Sequence, residues 1–259
     1  MHKRALAHCN LQGSYELIDV PETELASTVQ RLKDEGYAGF NVTIPYKEKI
    51  ISLLDDVEVH TKSIGAVNTV RIDEQTNAVG FNTDAPAFLR SLLSKAGDSN
   101  KFRSAVILGN GGASRAARSV LKSISPNINI IVVSRKANIE WTESLRPFEC
   151  LELSHFIDQK AFDRNGPNLF INATPLGQSN ATTPEFKYFE RIISKFPDGT
   201  FVFDMVYAKK KSATTPFVSA AQKRGFKCCD GTYMLALQAA GAFYIWTGKL
   251  VTPEVMLGL

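Results

Sequence analysis

The segment from Ser104 to Lys136 constrains the fold more than any other part of the chain. Its first run, Ala105–Leu108, is apolar and rich in β-branched side chains, which is typical of a strand buried on both faces. Gly109, Gly111 and Gly112 follow at once, then a run of helix formers, and a second β-branched run closes the segment. This order predicts one βαβ unit of about 30 residues.

The glycine turn of this unit indicates a dinucleotide site. Glycines let the backbone turn tightly and approach a pyrophosphate, and the helix N-terminus beyond them offers unpaired N–H groups and a partial positive charge. The pattern departs from G-x-G-x-x-G, because Ser114 stands at its last position. A tight structural turn is the alternative interpretation of the glycines.

The end of the second strand indicates which dinucleotide is bound. An NAD site usually places an Asp or Glu there to hold the ribose 2′-hydroxyl. This chain has Ser134, Arg135 and Lys136 instead. Two cations suit a 2′-phosphate, so we expect NADP as the cofactor. A solvated strand end with ordinary surface charge is the alternative.

Composition excludes several classes of protein. The chain has 259 residues and a net charge of +4, with Lys and Arg spread along its length, which argues against a basic nucleic-acid-binding patch. No apolar run reaches transmembrane length, and the first residues lack a signal-peptide core. The cysteines lack C-x-x-C spacing and the histidines lack metal-ligand spacing, so we expect reduced thiols, a cytoplasmic location and no metal.

Alternation of predicted strands and helices indicates an α/β fold with a doubly wound parallel sheet. Before the βαβ unit we expect further elements: helix 1–12, strand Tyr15–Val20, helix Glu22–Glu35, strand Gly39–Ile44, helix Glu48–Leu54, strands Ala66–Ile72 and Ala78–Phe81, and helix Ala85–Lys95. After it we expect a helix following Glu140, strands at Asn168–Asn172, Thr200–Asp204 and Phe226–Cys229, and helices at Tyr188–Lys195, Thr215–Lys223, Thr232–Thr247 and Pro253–Leu257. The polar stretch Ala96–Arg103 is the expected domain junction.

Two residues at predicted strand ends have chemistry that suits proton transfer. Lys47 follows the strand that contains Asn41-Val-Thr-Ile44, and Asp84 follows Phe81-Asn-Thr. A carboxylate beside an ammonium can hold it where it donates a proton to a carbonyl that receives hydride. The alternatives are a solvated surface Lys47 and an Asp84 that only caps the next helix. Asn68 and Thr43 also have alternatives. Asn68 could simply satisfy a turn, and Thr43 could simply be a residue that favours a strand.

Seven motifs together resemble the shikimate dehydrogenase family over nearly the whole chain. In chain order they are Asn41-Val-Thr-Ile-Pro-Tyr-Lys47, Gly65-Ala-Val-Asn-Thr69, Gly80-Phe-Asn-Thr-Asp84, Leu108-Gly-Asn-Gly-Gly-Ala-Ser-Arg-Ala116, Asn172-Ala-Thr-Pro-Leu-Gly177, Asp204-Met-Val-Tyr207 and Gly231-Thr-Tyr-Met-Leu-Ala-Leu-Gln238. Each motif alone is modest, whereas seven in the same order and spacing are specific.

The resemblance implies an oxidoreductase that uses NADP to interconvert 3-dehydroshikimate and shikimate in aromatic amino-acid biosynthesis, on the route to chorismate. It implies a substrate domain with a mixed sheet at 1–98, a Rossmann-like NADP-binding domain at 99–235, and C-terminal helices at 236–259 that return to the first domain. Lys47 and Asp84 would be the acid–base pair. The implied substrate ligands are Thr43, Asn68, Asp84, Tyr207 and Gln238. The implied cofactor ligands are Gly109, Gly111, Gly112, Ala113, Ser134, Arg135, Lys136, Asn172, Thr174, Met205, Gly231 and Met234.

The chain departs from the family pattern at its start. The family begins with a strand, a glycine-containing turn and a His-Ser-x-Ser-Pro segment whose two serines bind the substrate carboxylate. This sequence starts after that segment, so the chain is either a truncated version of a longer protein or a divergent member that binds something different. In both cases we expect a weaker first domain and weaker carboxylate recognition. The loop after Tyr207 is also longer and more basic than in the family.

Three interpretations therefore stay open at the level of sequence. The first is an NADP-dependent shikimate dehydrogenase, acting on a small-molecule substrate as a monomer or homodimer with no nucleic acid or membrane. The second is a quinate/shikimate dehydrogenase that uses NAD or NADP. The third is a non-catalytic homologue that kept the fold and lost the carboxylate-binding segment.

Overall fold

The structure is a computed structural model that describes residues 1–97, 102–135, 149–158, 160–178, 189–208 and 213–259. Lys136, the helix expected after Glu140, the 98/99 domain boundary, and most of the loop expected to run through Pro184 lie outside the described residues. The chain divides into two compact units. Unit 1 comprises Met1–Ala87 and Leu235–Leu259, and unit 2 comprises Phe88–Met234.

Unit 1 contains short helices and a four-stranded sheet. Its elements are α1 (His2–His8), a 3₁₀ turn (Glu22–Glu24), α2 (Leu25–Asp34), β1 (Gly39–Asn41), a 3₁₀ helix (Lys49–Leu53), β2 (Asp56–Val57), α3 (Val59–Ile64), β3 (Thr69–Ile72), β4 (Ala78–Phe81), the start of α4 (Asp84–Ala96), most of α8 (Thr232–Thr247), and α9 (Pro253–Leu257). The strand order is β1-β3-β4-β2. The sheet is mixed, because β3 pairs antiparallel with β1 and β4, whereas β2 pairs parallel with β4.

The C-terminal helices pack inside unit 1. Ala5 of α1 lies in one buried cluster with Ala236, Ala239 and Phe243 of α8 and with Met256 of α9. α8 is apolar all round, and such a helix is stable only when its whole surface is covered. The sequence predicts that 236–259 return to the first domain, and this packing is consistent with that. The predicted domain limits themselves remain predictions.

The predicted strand at Tyr15–Val20 is wrong. Among the described residues, no backbone hydrogen bond joins 12–19 to another segment, and a strand exists only where a neighbouring backbone pairs with it. The segment is instead tied to its surroundings by side chains: the Tyr15 hydroxyl donates to Asn41 Oδ1 at 2.9 Å, and the Tyr46 hydroxyl donates to the Val20 carbonyl at 2.6 Å. The segment has the composition of a strand, but no other described segment pairs with its backbone.

A groove of about 350 Å³ separates this segment from the sheet. Residues 14–20 form one wall, β1 and the residues after it form the other, and side chains of α2 form the floor. β1 is the edge strand on this side, because β3 is its one pairing partner among the described strands. Both walls of the groove therefore present backbone groups that lack a ladder partner.

Smaller differences from the predicted elements have local causes. The strand predicted at Gly39–Ile44 stops at Asn41, since a turn begins at Thr43, whose carbonyl accepts from the Tyr46 amide at 2.9 Å. The helix predicted at Glu48–Leu54 is a 3₁₀ helix, Lys49–Leu53. β2 and α3 were not predicted, because two strand residues and a six-residue helix give little periodicity.

Unit 2 contains the predicted βαβ unit and a six-stranded parallel sheet. Its further elements are β5 (Ser104–Leu108), α5 (Gly112–Ile124), β6 (Asn129–Ser134), β7 (Glu149–Glu152), α6 (Leu153–Asp158), β8 (Leu169–Asn172), β9 (Phe201–Asp204), α7 (Pro216–Lys223) and β10 (Cys228–Cys229). Residues 189–193 are also helical. β7 and α6 were not predicted.

The strand order of unit 2 is β10-β9-β8-β5-β6-β7, and all its pairings are parallel. Read from β7, this is the doubly wound order 3-2-1-4-5-6, in which the order reverses between β5 and β8. The prediction of an α/β fold with one mixed sheet and one Rossmann-like sheet is confirmed. No helix in the described ranges is long and apolar enough to cross a membrane.

Candidate active site

Lys47 follows the Thr43–Tyr46 turn in unit 1, and its side chain is half-buried. Its Nζ lies 2.6 Å from Asp84 Oδ2. Its main chain is fixed as well, because the Val67 amide donates to the Lys47 carbonyl at 2.7 Å. Within the described part of the chain, Nζ has no second hydrogen-bond partner. An ammonium carries three donors, so two remain for a ligand.

Asp84 is the first residue of α4 and is 7 % exposed. It was expected to cap this helix, but its carboxylate accepts from Lys47 and Asn68 instead. The Asn82 side chain accepts from the Ala85 amide at 2.9 Å and takes the capping position. The dipole of α4 favours a negative charge at this end.

Asn68 is buried and holds Asp84 from the other side. Its Nδ2 donates to Asp84 Oδ1 at 2.9 Å and to Thr83 Oγ1 at 3.0 Å, and its Oδ1 accepts from the Thr83 amide at 2.7 Å. Both amide protons are therefore used inside the protein. Thr69 Oγ1 lies 3.2 Å from Thr83 Oγ1 and completes the network. Lys47 and Asp84, which lie 37 residues apart, are in this way held in one geometry.

The structure does not bond Thr43 or Gln238 to this network. Thr43 is exposed in the turn before Lys47. Gln238 lies half-buried on α8 and donates to the carbonyl of Leu235 on the same helix at 3.0 Å. Gly241, one turn further along, faces the Thr83 side chain, where a Cβ would meet Thr83 Cγ2 at 3.3 Å. The Gln238 face of α8 therefore points toward the loop that carries Asp84.

The glycine turn in unit 2 has the geometry that its sequence predicts. Gly109 has φ +108°, and a Cβ there would lie 2.9 Å from Thr174 Cγ2 and 3.0 Å from the Ala173 carbonyl. At Gly111 a Cβ would meet nothing within 4 Å, and no side chain in the described part of the chain caps the helix there. Gly111 is exposed, and Gly112 and Ala113 in the first turn of α5 are partly exposed. This arrangement fits a pyrophosphate at a helix N-terminus.

The next strand ends beside this turn. β6 is the neighbour of β5 in the sheet, and the Gly109 amide donates to the Val133 carbonyl at 2.7 Å. Ser134 is buried at the end of β6, whereas Arg135 directly after it is exposed. An exposed guanidinium at this strand end is free to meet a phosphate.

The loop after β8 lies on the other side of the glycine turn. Asn172 is fully buried, and its Oδ1 accepts from Thr174 Oγ1 at 2.6 Å and from the Thr174 amide at 3.1 Å. Because Thr174 Cγ2 faces Gly109, the predicted residues Gly109, Asn172 and Thr174 come together at the point where the strand order reverses.

The residues after β9 form the next part of this edge. The Met205 amide donates to the Asn172 carbonyl at 2.9 Å, and a Cβ at Gly231 would lie 2.2 Å from the Met205 carbonyl, so this position requires glycine. Tyr207 is half-buried two residues further, and Met234 is buried in the first turn of α8.

Sequence reasoning missed three residues that hold these groups in place: Asn82, Thr83 and Asp204. Asp204 was quoted within a motif but received no role. Its carboxylate is fully buried and accepts from Asn172, Val206 and Thr215. Burial raises the pKa of Asp204 to about 7, and the three hydrogen bonds oppose that rise. A polar residue at the end of an apolar strand was the available signal.

These features define a class: α/β proteins with a Rossmann-type nucleotide-binding sheet and a separate mixed-sheet unit that carries a buried lysine–aspartate pair. Residues 1–70 match the sequence model described as the shikimate dehydrogenase substrate binding domain. Two relatives are each named shikimate dehydrogenase (NADP(+)). The protein of Streptococcus thermophilus is 32% identical over 257 residues, which cover 96% of this chain and 86% of the relative. That of Thermus thermophilus is 34% identical over 260 residues, with 99% and 89% covered.

A solved structure agrees over the same length. The shikimate 5-dehydrogenase of Thermus thermophilus, in complex with NADP(H) and shikimate, superposes with a TM-score of 0.77 at 31% identity. The match covers 98% of this chain and 90% of that one. The chain belongs to the shikimate dehydrogenase family.

Proposed function

We propose that this protein catalyses the reversible NADP-dependent reduction of 3-dehydroshikimate to shikimate. The observation that carries the proposal is the 2.6 Å contact between Lys47 Nζ and Asp84 Oδ2, with Asn68 fixing the other carboxylate oxygen. The family relationship supports it, because the relatives that span almost the whole chain carry this activity in their names.

Lys47 is the group that would handle the proton. NADPH, when bound, would supply a hydride to the carbonyl carbon, and negative charge would develop on the carbonyl oxygen. The Lys47 ammonium stabilises that charge and donates a proton to the oxygen, and in the reverse direction the amine takes it back. Asp84 keeps the ammonium oriented, because a charge-assisted hydrogen bond restricts the long side chain.

Short polar side chains would bind the hydroxyls and carboxylate of the substrate. We assign this role to Thr43, Tyr207 and Gln238, and to the part of Asp84 left free by its two contacts. The two side-chain N–H groups of Asn68 donate to Asp84 and Thr83. Its contribution to substrate binding therefore includes holding Asp84 in place.

The cofactor assignment follows the geometry of unit 2. Gly109, Gly111, Gly112 and Ala113 would face the pyrophosphate, and Arg135 would bind the 2′-phosphate with Ser134 beside it. The ribose and nicotinamide would lie against Asn172, Thr174, Met205, Gly231 and Met234. We accordingly assign the acid–base pair to unit 1 and cofactor binding to unit 2. The cytoplasmic location and the monomer or homodimer remain predictions.

The decisive experiment is shikimate-dependent reduction of NADP⁺ by this 259-residue chain, with quinate and NAD⁺ assayed in parallel. We expect turnover with shikimate and NADP⁺ in excess of every other pairing. Comparable turnover with quinate or NAD⁺ would replace the proposal with a quinate/shikimate dehydrogenase of relaxed cofactor use. Absence of turnover with NADPH still bound would identify a ligand-binding homologue.

A further inference from the structure

Asp204 ends β9 and has no exposed surface. Its Oδ1 accepts from Asn172 Nδ2 at 2.9 Å and from the Val206 amide at 3.0 Å, and its Oδ2 accepts from Thr215 Oγ1 at 2.5 Å. These donors come from three separate places: the end of β8, the residues after β9, and the N-terminus of α7. One buried carboxylate therefore joins three segments.

The contact with Asn172, together with the Leu176 carbonyl to which Nδ2 also donates at 3.2 Å, determines which way that amide points. An amide has a donor end and an acceptor end, and Asp204 Oδ1, which also accepts from the Val206 amide, presents an acceptor to Asn172. Asp204 therefore holds Nδ2 of Asn172 toward itself and turns Oδ1 toward Thr174. The Thr174 hydroxyl and amide both donate to that oxygen, at 2.6 and 3.1 Å. If the Asn172 amide were reversed, both hydrogen bonds would be lost.

Thr174 in turn packs against the glycine turn. Its Cγ2 occupies the space beside Gly109, where an added Cβ would be only 2.9 Å away. The sequence of contacts thus runs from Asp204 through Asn172 to Thr174 and ends at Gly109. Gly109 and Thr174 lie where the strand order reverses, and ligands of open parallel sheets bind beyond the strand ends at that point.

The contact with Val206 fixes a second segment at the same edge. The Gly231 amide donates to the Val206 carbonyl at 2.8 Å, and the Met205 carbonyl lies directly against Gly231. The third contact has a different character, because Thr215 Oγ1 also accepts from the Val218 amide at 3.2 Å and caps α7. This contact therefore stabilises the start of α7 and does not fix the strand ends where a ligand would bind.

We propose that Asp204 is a positioning residue for the cofactor: by orienting the Asn172 amide it holds Thr174 against Gly109 and sets the shape of the NADP-binding edge. This inference rests on the proposed function. It concerns a residue that touches neither substrate nor cofactor and acts through Asn172.

The test compares variants that break different contacts of Asp204. Asp204→Ala removes all three hydrogen bonds, and Asp204→Asn keeps an oxygen for Asn172 and Val206. Thr215→Ala removes the helix cap and the contact to Asp204 Oδ2 but leaves both contacts of Oδ1 in place. We expect Asp204→Ala to raise the Kd for NADPH about 10- to 100-fold, because small misplacements of a binding group cost that much. Asp204→Asn should restore the Kd to within about threefold, and the KM for shikimate should hardly change.

Thr215→Ala separates positioning from stability. We expect it to lower the melting temperature and leave the Kd for NADPH unchanged. The proposal fails if Thr215→Ala and Asp204→Ala lower the melting temperature equally and also raise the Kd for NADPH equally. Asp204 would then have only a structural role.

A double-mutant cycle tests the route through Asn172. Thr174→Val removes the hydroxyl and keeps the methyl group beside Gly109. Asp204 and Thr174 have no hydrogen bond to one another, so independent effects on the Kd would multiply. We expect the double variant to be no weaker than Asp204→Ala alone; multiplied effects would overturn the proposal. Should Asp204→Ala not fold, Thr174→Val decides alone, since an unchanged Kd would show that the Asn172–Thr174 link does nothing.

The wild-type chain is titrated with NADPH first. If it does not bind NADPH, the proposed function fails before the variants are compared. If it binds, the variants test Asp204 alone.

Discussion

Lys47 and Asp84 lie 37 residues apart in the sequence and form a 2.6 Å ion pair in the structure. The carboxylate is held by Asn68 and by its place at the start of α4, and it in turn holds the ammonium of Lys47. This relationship makes Lys47 the residue whose removal should affect chemistry most directly.

Replacing Lys47 with Ala should lower kcat for shikimate oxidation by about 10²- to 10⁴-fold, the range typical of a general acid–base group. The Kd for NADPH should stay within about twofold, since Lys47 belongs to unit 1 and the proposed cofactor residues belong to unit 2. Lys49→Ala is the matched control, because Lys49 is an exposed lysine two residues away that pairs with Glu22. Steady-state kinetics and NADPH fluorescence titration give both quantities. Unchanged kcat in Lys47→Ala would remove the residue from its role.

Replacing Arg135 with Ala should discriminate between the two nicotinamide cofactors. A charge-assisted contact to a phosphate contributes about 1.5–3 kcal/mol, so the Kd for NADPH should rise about 10- to 100-fold. The Kd for NADH, which lacks the 2′-phosphate, should hardly change. Arg164→Ala, another exposed arginine of unit 2, serves as control. Equal weakening of both cofactors would contradict the 2′-phosphate assignment.

Acid should destabilise unit 1 through His2. The ring is buried and stacks on Tyr15 at a centroid distance of 4.3 Å, and burial lowers the pKa of His2 from 6.5 to about 4. Between these values the unfolded chain binds a proton that the folded chain does not, so the free energy of unfolding falls as the pH falls through 6.5. The full loss below pH 4 is on the order of 3 kcal/mol.

The measurement is urea unfolding at about pH 7.5 and about pH 4.5, on either side of the ordinary histidine pKa, followed by the fluorescence of Trp246, which lies 5.2 Å from the His2 ring. In His2→Phe, the difference between the free energies of unfolding at the two pH values should be smaller, because residue 2 no longer titrates. His8→Phe changes an exposed histidine and should retain the full dependence. A pH dependence equal in the two variants would show that His2 is not the responsible group.

Backbone amides of residues 14–19 should exchange with solvent quickly. They have no backbone partner in the described structure, so their exchange needs no unfolding step. Val70 is buried in β3, which pairs with β1 on one side and β4 on the other, and its amide should be protected by several orders of magnitude. Hydrogen-exchange mass spectrometry of peptides that cover both segments tests this. Slow exchange at 14–19 would mean that the segment pairs with another strand.

Sequence predicted best where the evidence was local. The βαβ unit of unit 2 combines an apolar strand, glycines with a required backbone geometry and a run of helix formers, all within about 30 residues. The positive φ of Gly109 and the uncapped start of α5 followed directly from that pattern.

The rest depended on contacts between distant segments. Tyr15–Val20 has the composition of a strand, but pairing is decided by what lies beside it. β7 (Glu149–Glu152) has little apolar character and forms through pairing with β6. The contacts of Asn68 and Asp204 join residues 16 and 32 positions apart, a relationship that no spacing rule predicts. The roles of Asn68 and Asp204 are seen only in the hydrogen bonds of the folded structure.

The groove beside β1 has a consequence for the behaviour of the protein in concentrated solution. An edge strand with free N–H and C=O groups is a template on which the extended segment of another molecule can add. The three residues of β1 carry no charge, so protection of this edge falls to Glu16 and Asp19 on the opposite wall, both exposed. Their like charges repel a second copy of the same segment. Neutralising them would favour aggregation by edge-to-edge addition while leaving the folded core untouched.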